Sequence, residues 1–394
     1  MKIKLLIALI CLMLSLCMLM GCDGAKEAPV ATTETEAPEP TADYTKRILY
    51  PADELEYLKL YGRTAVIEGS VTCDWTASGI EFRADCQGEI YLYMTTTVDT
   101  YLTVYVDGVR MDDVNYNYDT NLREGKTFFL AEGSQKILVA EGLEAGLHTV
   151  KVLKQYMSGN TSVDAIVLCG ELRQRPDDSE LLIEFVGDSI TCGYANLGLN
   201  KTDDVVSAET TDGTSTYAYL TAQALDADHS MLSISGIGIY KGSQSYPMTD
   251  VYPYVSYRRT HAEKDYEPTR RADVVVVNLG TNDEARIGSN QAEFRAHLER
   301  LISQIRAANG EDTPIVFCYN SMKRGKIAPD LIQGVIDAKG GAEAGLYSLV
   351  MTTDISPISP STHTHNGAPG NHPNAEQHQK QAETLIAFLQ EILK

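Results

Sequence analysis

A single tryptophan and only eight cysteines occur in 394 residues. So few cysteines in so long a chain exclude a disulfide-built scaffold, which is dense in cysteine and short. Basic residues are also scarce: 33 Lys and Arg face 54 Asp and Glu, for a formal charge of −21. Nucleic-acid phosphates would be repelled by that field, which argues against nucleic acid as a partner and disfavours polyanionic substrates. Neutral polymers stay open. After residue 20 no uncharged run approaches membrane-spanning length, and there is no internal repeat. What is present is a 43% hydrophobic, 22% charged composition, that of a globular chain. Its length suits two domains better than one.

The N-terminus reads as an export signal. Lys2 and Lys4 precede Leu5 to Met20, a run of 16 residues without charge that ends in Leu19-Met20-Gly21-Cys22. This resembles the lipobox of bacterial lipoproteins, in which small Gly21 admits the peptidase and Cys22 carries the lipid. An ordinary signal peptide or an uncleaved anchor are the alternatives. The expectation is a signal peptide over 1–22 and an exported protein at the bacterial cell surface or periplasm, held to the membrane by its lipid alone. Residues 23–46, rich in Ala, Thr, Glu and Pro, read as a disordered tether.

Residues 47–176 read as a β-sandwich of jelly-roll type. Tyr101 to Val106 alternates and is followed by the turn pair Asp107-Gly108. Gly79 to Phe82, Glu89 to Met94, Lys136 to Ala140, His148 to Leu153 and Ala165 to Leu168 are further short strands, with a turn expected at Glu144-Ala145-Gly146. Arg173 to Glu180 is a polar linker. Over 177–394 the pattern changes. Leu181 to Val186 (apolar but for one Glu), Ser230 to Ser235, Ala272 to Leu279, Pro314 to Tyr319 and Leu346 to Met351 are runs that suit strands buried on both faces. Helices are expected between them. One carries Phe294, Leu298, Leu301, Ile302 and Ile305, with a capping box at Asn290 and Glu293 and a stop at Gly310. Thr214 to Ala227 and Asn374 to Leu393 are two more. The fold class expected is α/β, a doubly wound parallel sheet behind the β-sandwich.

Polar residues gather where these strands end. Gly187-Asp188-Ser189-Ile190-Thr191 follows the first strand, so Ser189 can stand exposed as a nucleophile, or one of Asp188 and Ser189 simply caps a helix. Ser235-Gly236 follows the second, where a glycine lets a backbone N–H approach a ligand. Gly280-Thr281-Asn282-Asp283 follows the third, where an amide can donate to an oxyanion or merely make a turn. His372-Pro373 precedes the last helix and can supply a general base.

Taken together, GDSIT (187–191), SG (235–236), GTND (280–283) and HP (372–373) resemble the conserved blocks of the SGNH, or GDSL-like, hydrolases. The resemblance implies Ser189 as nucleophile, His372 as general base and acid, and an oxyanion hole from the Ser189 and Gly236 N–H groups and the Asn282 amide. It implies no cofactor. One departure is visible: where that superfamily carries an Asp three residues before the His, this chain has Pro369, and residues 366–372 contain no acid. Either a main-chain carbonyl near Ala368 to Gly370 or a distant acid such as Asp354 then orients the imidazole. The β-rich segment ahead of these blocks makes residues 47–394 similar to the family 2 carbohydrate esterases. That similarity implies removal of O-acetyl groups from xylan or glucomannan, with an acetylated polysaccharide or oligosaccharide as partner. Aromatic residues would hold the sugar; Tyr240 and Tyr246 are the candidates, while Asn371 beside the base is not aromatic. An SGNH lipase, a thioesterase, a deacetylase of another substrate and a carbohydrate-binding lipoprotein are the rival readings.

Four histidines, His363, His365, His372 and His378, cluster without an acid or Cys at ligand spacing, so no metal is expected. Cys73, Cys86, Cys169, Cys192 and Cys318 leave at least one thiol unpaired, with Cys73–Cys86 one pairing open. Cys192 and Trp75 read as packing.

Overall fold

The computed structural model describes residues 42–117, 120, 122–198, 206–256, 265–319, 321–322, 325–351 and 372–394. The expected signal peptide with Cys22, and the expected tether as far as residue 41, lie outside them. Residues 42–394 form one compact unit. Of the tether expected to residue 46, Ala42 is already buried and the Tyr44 hydroxyl donates to Asp85 Oδ1 at 2.7 Å, so these residues belong to the folded unit.

Among the described residues, ten strands of the N-terminal half form one antiparallel sheet. Its centre is three long strands, Gly79–Thr96, Gly133–Lys154 and Thr161–Arg173, rather than the short ones expected. Ile80, Phe82, Ala84, Cys86, Ile90, Leu92 and Met94 alternate inward along the first and build a core of this region's own. Glu144-Ala145-Gly146 is not a turn. The chain stays paired through it, and three register shifts between Leu138 and Gly146 absorb the extra residues as bulges. A bulge bends a strand without ending it, so the turn-like composition marks a bend here. Asp107-Gly108 is the hairpin turn expected: both residues have positive φ, and Val106 pairs with Val109.

Leu182–Gly187, Asp228–Ser233, Val274–Asn278, Ile315–Tyr319 and Leu346–Val350 form a five-stranded parallel sheet, ordered second, first, third, fourth, fifth. Consecutive side chains go to opposite faces. Phe185, Val274 and Val276 pack towards helices Tyr217–Ala224 and Ala375–Ile392. Val186, Val275 and Val277 pack towards Gln291–Asn309 and Ile327–Ala338. Two covered faces are why apolar residues predominate on both sides of these strands. The capping box forms at the last helix, where Asn374 and Gln377 bond reciprocally. It does not form at Asn290, whose side chain caps nothing.

The β-rich region is built into the parallel-sheet region. Trp75 packs with Val186 and Leu232, and its Nε1–H donates to the Val255 carbonyl at 2.6 Å. Glu184, the one charge in the first parallel strand, is buried and pairs at 2.9 Å with Arg63 of the β-rich region. Tyr252 Oη donates to the other oxygen of Glu184 at 2.5 Å. Arg63 also lies over the Tyr252 and Tyr266 rings, at 4.4 and 4.1 Å.

Candidate active site

In the order of this sheet, the first strand lies between the second and the third. Their carboxyl ends flank the point where an open α/β sheet leaves a crevice. The Ser189, Gly236 and Asn282 loops all leave the sheet there.

The Ser189 loop needs its glycine. A Cβ on Gly187 would lie 1.9 Å from Thr191 Oγ1, so only glycine lets the chain turn this tightly into helix Ser189–Cys192. Capping falls to Asp188, whose Oδ1 accepts from Ile190 N at 3.0 Å. Ser189 therefore keeps its hydroxyl for another partner. That partner is His372: Nε2 lies 2.8 Å from Ser189 Oγ although 183 residues separate them. Such a bond lets the imidazole take the hydroxyl proton as the oxygen attacks.

Asn282 stands between the other two loops. Its Nδ2 donates to Asp188 Oδ2 at 3.1 Å and to the Ile237 carbonyl at 2.9 Å. One amide thus ties the Ser189 loop to the Gly236 loop, and both its protons are engaged. Gly236 has φ +79°, a conformation that favours glycine, and its carbonyl accepts from Ser243 N.

The next residue supplies a positioning group that sequence reasoning passed over. Asp283 is fully buried, and its carboxylate accepts three consecutive backbone N–H groups, those of Ile239, Tyr240 and Lys241, at 2.8 to 2.9 Å. Burial raises its pKa, against the lowering by those N–H groups. The carboxylate clamps the loop that begins at Gly236. The GTND block contained this Asp, but only the fold shows which backbone it holds. Tyr194, likewise unmarked by any motif position considered above, stacks on the His372 ring with centroids 4.4 Å apart and planes 22° apart.

Tyr240 and Tyr246 are half-buried and pack against the parallel-sheet core; the Tyr240 ring rests against His297. Asp354, Pro369, Ala368, Gly370 and Asn371 lie outside the described residues, as do His363 and His365. His378 is buried in the core, where its Nδ1 accepts from Tyr217 N. Among the described residues no group of three His, Cys, Asp or Glu is placed to hold a metal. All five described cysteines are free, so the Cys73–Cys86 pairing does not form. Burial pushes the Cys192 thiol up to about 12, which keeps it protonated and suits packing.

Residues 185–380 match the GDSL-like Lipase/Acylhydrolase family, so this part of the chain is a GDSL-like lipase/acylhydrolase domain. The chain is 30% identical over 258 residues to the cellulase/esterase CelE of Acetivibrio thermocellus, a match covering 64% of this chain and 29% of that protein. It thus spans less than a third of that relative's length. It is 27% identical over 272 residues to an acetylxylan esterase / glucomannan deacetylase of Cellvibrio japonicus, over 64% of this chain and 71% of the other. A family two carbohydrate esterase from Clostridium thermocellum, solved in complex with cellohexaose, superposes with a TM-score of 0.72 at 24% identity. That likeness covers 85% of this chain and 99% of the other, and it extends the shared fold to the β-rich region.

Proposed function

We propose that this protein is a serine carboxylic ester hydrolase that removes O-acetyl groups from neutral plant cell-wall polysaccharides such as xylan and glucomannan. The observation that carries the proposal is the 2.8 Å bond between Ser189 Oγ and His372 Nε2 at the head of the parallel sheet. In the proposed cycle Ser189 Oγ attacks the acetyl carbonyl while its proton passes to His372 Nε2. The Ser189 and Gly236 N–H groups and the Asn282 amide face the oxyanion. One Asn282 N–H now given to Asp188 or Ile237 turns to the oxyanion as its charge develops. His372 returns the proton to the departing sugar oxygen. A water activated by the same imidazole then frees acetate and restores Ser189.

The relatives support the substrate class, since one is an acetylxylan esterase / glucomannan deacetylase and a structural neighbour was solved with cellohexaose. The charge of −21 suits a neutral glycan better than an acidic one. Tyr240 and Tyr246, in the chain that follows Gly236, are proposed as sugar contacts through their exposed parts, and lipidation of Cys22 as the anchor that holds the enzyme at the bacterial cell surface or in the periplasm. The test is acetate release from acetylated xylan and glucomannan, run beside Ser189→Ala. Release by the wild type alone is expected. Cleavage of an aryl acetate without release from either polymer would retain the esterase and remove the polysaccharide.

A further inference from the structure

The Tyr194–His372 stack is held from both sides. Tyr194 sits in the turn after the nucleophile helix, and its N–H donates to the Ser189 carbonyl at 3.0 Å. Two residues on, Asn196 grips the main chain of Asp212 through both ends of its amide, each at 2.8 Å. The Asn196 carbonyl in turn accepts from Ala375 N at 3.0 Å, at the start of the helix that follows His372. The turn carrying Tyr194 and the segment carrying His372 are thus pinned to each other. The rings meet nearly face to face, the geometry in which an aromatic face attracts a cation.

We infer that Tyr194 is a positioning residue for His372: its ring fixes the imidazole plane opposite Ser189 and stabilises the imidazolium that forms when Ser189 gives up its proton. The inference deepens the esterase reading and rests on it. The groups around His372 include the Ser189 hydroxyl, the Tyr194 ring and His378 of the last helix. His378 is neutral at pH 7, because burial holds its pKa down to about 3. The Asp188 carboxylate, beside the nucleophile in sequence, accepts from Ile190 N and Asn282 Nδ2. The Tyr194 face, stacked on the imidazole, gains attraction when the ring becomes charged.

The test compares Tyr194→Phe, Tyr194→Leu and pentafluorophenylalanine at position 194, in the full chain. Phenylalanine keeps the ring face and should retain kcat on an aryl acetate within about twofold. Leucine removes it and should lower kcat by roughly 3- to 30-fold, with KM little changed. The midpoint of the acid limb of kcat/KM should also move to lower pH, since a less stable imidazolium gives up its proton sooner. Pentafluorophenylalanine keeps the shape but inverts the charge of the face, so it should behave like leucine even if leucine disturbs folding. Wild-type kcat and midpoint in the fluorinated and leucine variants would overturn the inference. So would a phenylalanine variant as slow as leucine, which would assign the role to the hydroxyl. The His372 ring is also titrated by NMR, assigned by its loss in His372→Gln, so the stack is judged without activity. A wild type that cleaves no ester but loses imidazole pKa on Tyr194→Leu would sink the esterase and leave the stack standing. An unmoved titration would sink the stack.

Discussion

The β-rich and parallel-sheet regions each bury a sheet, and they do it differently. The antiparallel sheet covers one face with alternating side chains along strands of up to 22 residues, bent by bulges. The parallel sheet is covered on both faces by helices, and its strands have five or six residues. A strand buried on both faces has no side-chain position left for polar chemistry except at its end. That is why Ser189, Gly236 and Asn282 all sit just beyond strand ends. Exceptions are His229 and Ser230 in the second strand and Glu184 in the first, whose partner Arg63 comes from the other region. The β-rich region therefore completes the core of the region that holds the site.

Substitutions can separate these two contributions. The largest effect is expected at Ser189: Ser189→Ala should lower kcat about 10⁴-fold or more, with the unfolding midpoint unchanged. Loss of fold in that variant would mean the hydroxyl is structural. Next is Arg63→Met, in the β-rich region, which strands the buried Glu184 carboxylate and should cost roughly 3–5 kcal/mol in urea unfolding. Adding Glu184→Leu should recover most of it, and a cost under about 1 kcal/mol would show that the two regions are independently stable. Asn282→Ala should then lower kcat roughly 10²-fold with KM nearly constant. A rise in KM alone would place the amide in ground-state binding.

The smallest effect concerns pH. Burial lowers the pKa of His378, in the parallel-sheet core, to about 3, and that of His229, at the seam, to about 4. His229 donates from Nε2 to the Ala77 carbonyl and stacks on Tyr61, both from the β-rich region. Unfolded, each histidine titrates near 6.5. Between that value and the folded one, the unfolded chain binds more protons, so stability is full above pH 6.5 and falls as pH drops towards 3 to 4. The loss by about pH 5 is roughly 2 kcal/mol per histidine. Acid unfolding of His229→Gln and His378→Gln should each be shallower than the wild type's. Equal slopes in all three would mean that neither histidine is neutral in the fold.

The parallel strands lie within two residues of where the apolar runs put them, because burial on both faces leaves an unbroken signature. The capping box is different. Asn374 with Gln377 forms one and Asn290 with Glu293 does not, since a residue pattern permits a cap but neighbouring backbone decides whether the side chain turns to it. Strand ends were hardest to read in the β-rich region, where Gly146 bends a strand that its composition appeared to terminate.

By itself the sequence determined the order of the elements, the two-region composition and the polar residues at the strand ends, since periodicity and local glycines are properties of neighbouring residues. Only the tertiary structure decided which distant groups meet: Ser189 with His372, Asp283 with the backbone of 239–241, Tyr194 with the imidazole, and Arg63 with Glu184. Those pairings depend on how the strands are ordered and the loops pinned, and contacts across such separations leave no periodic trace in the chain.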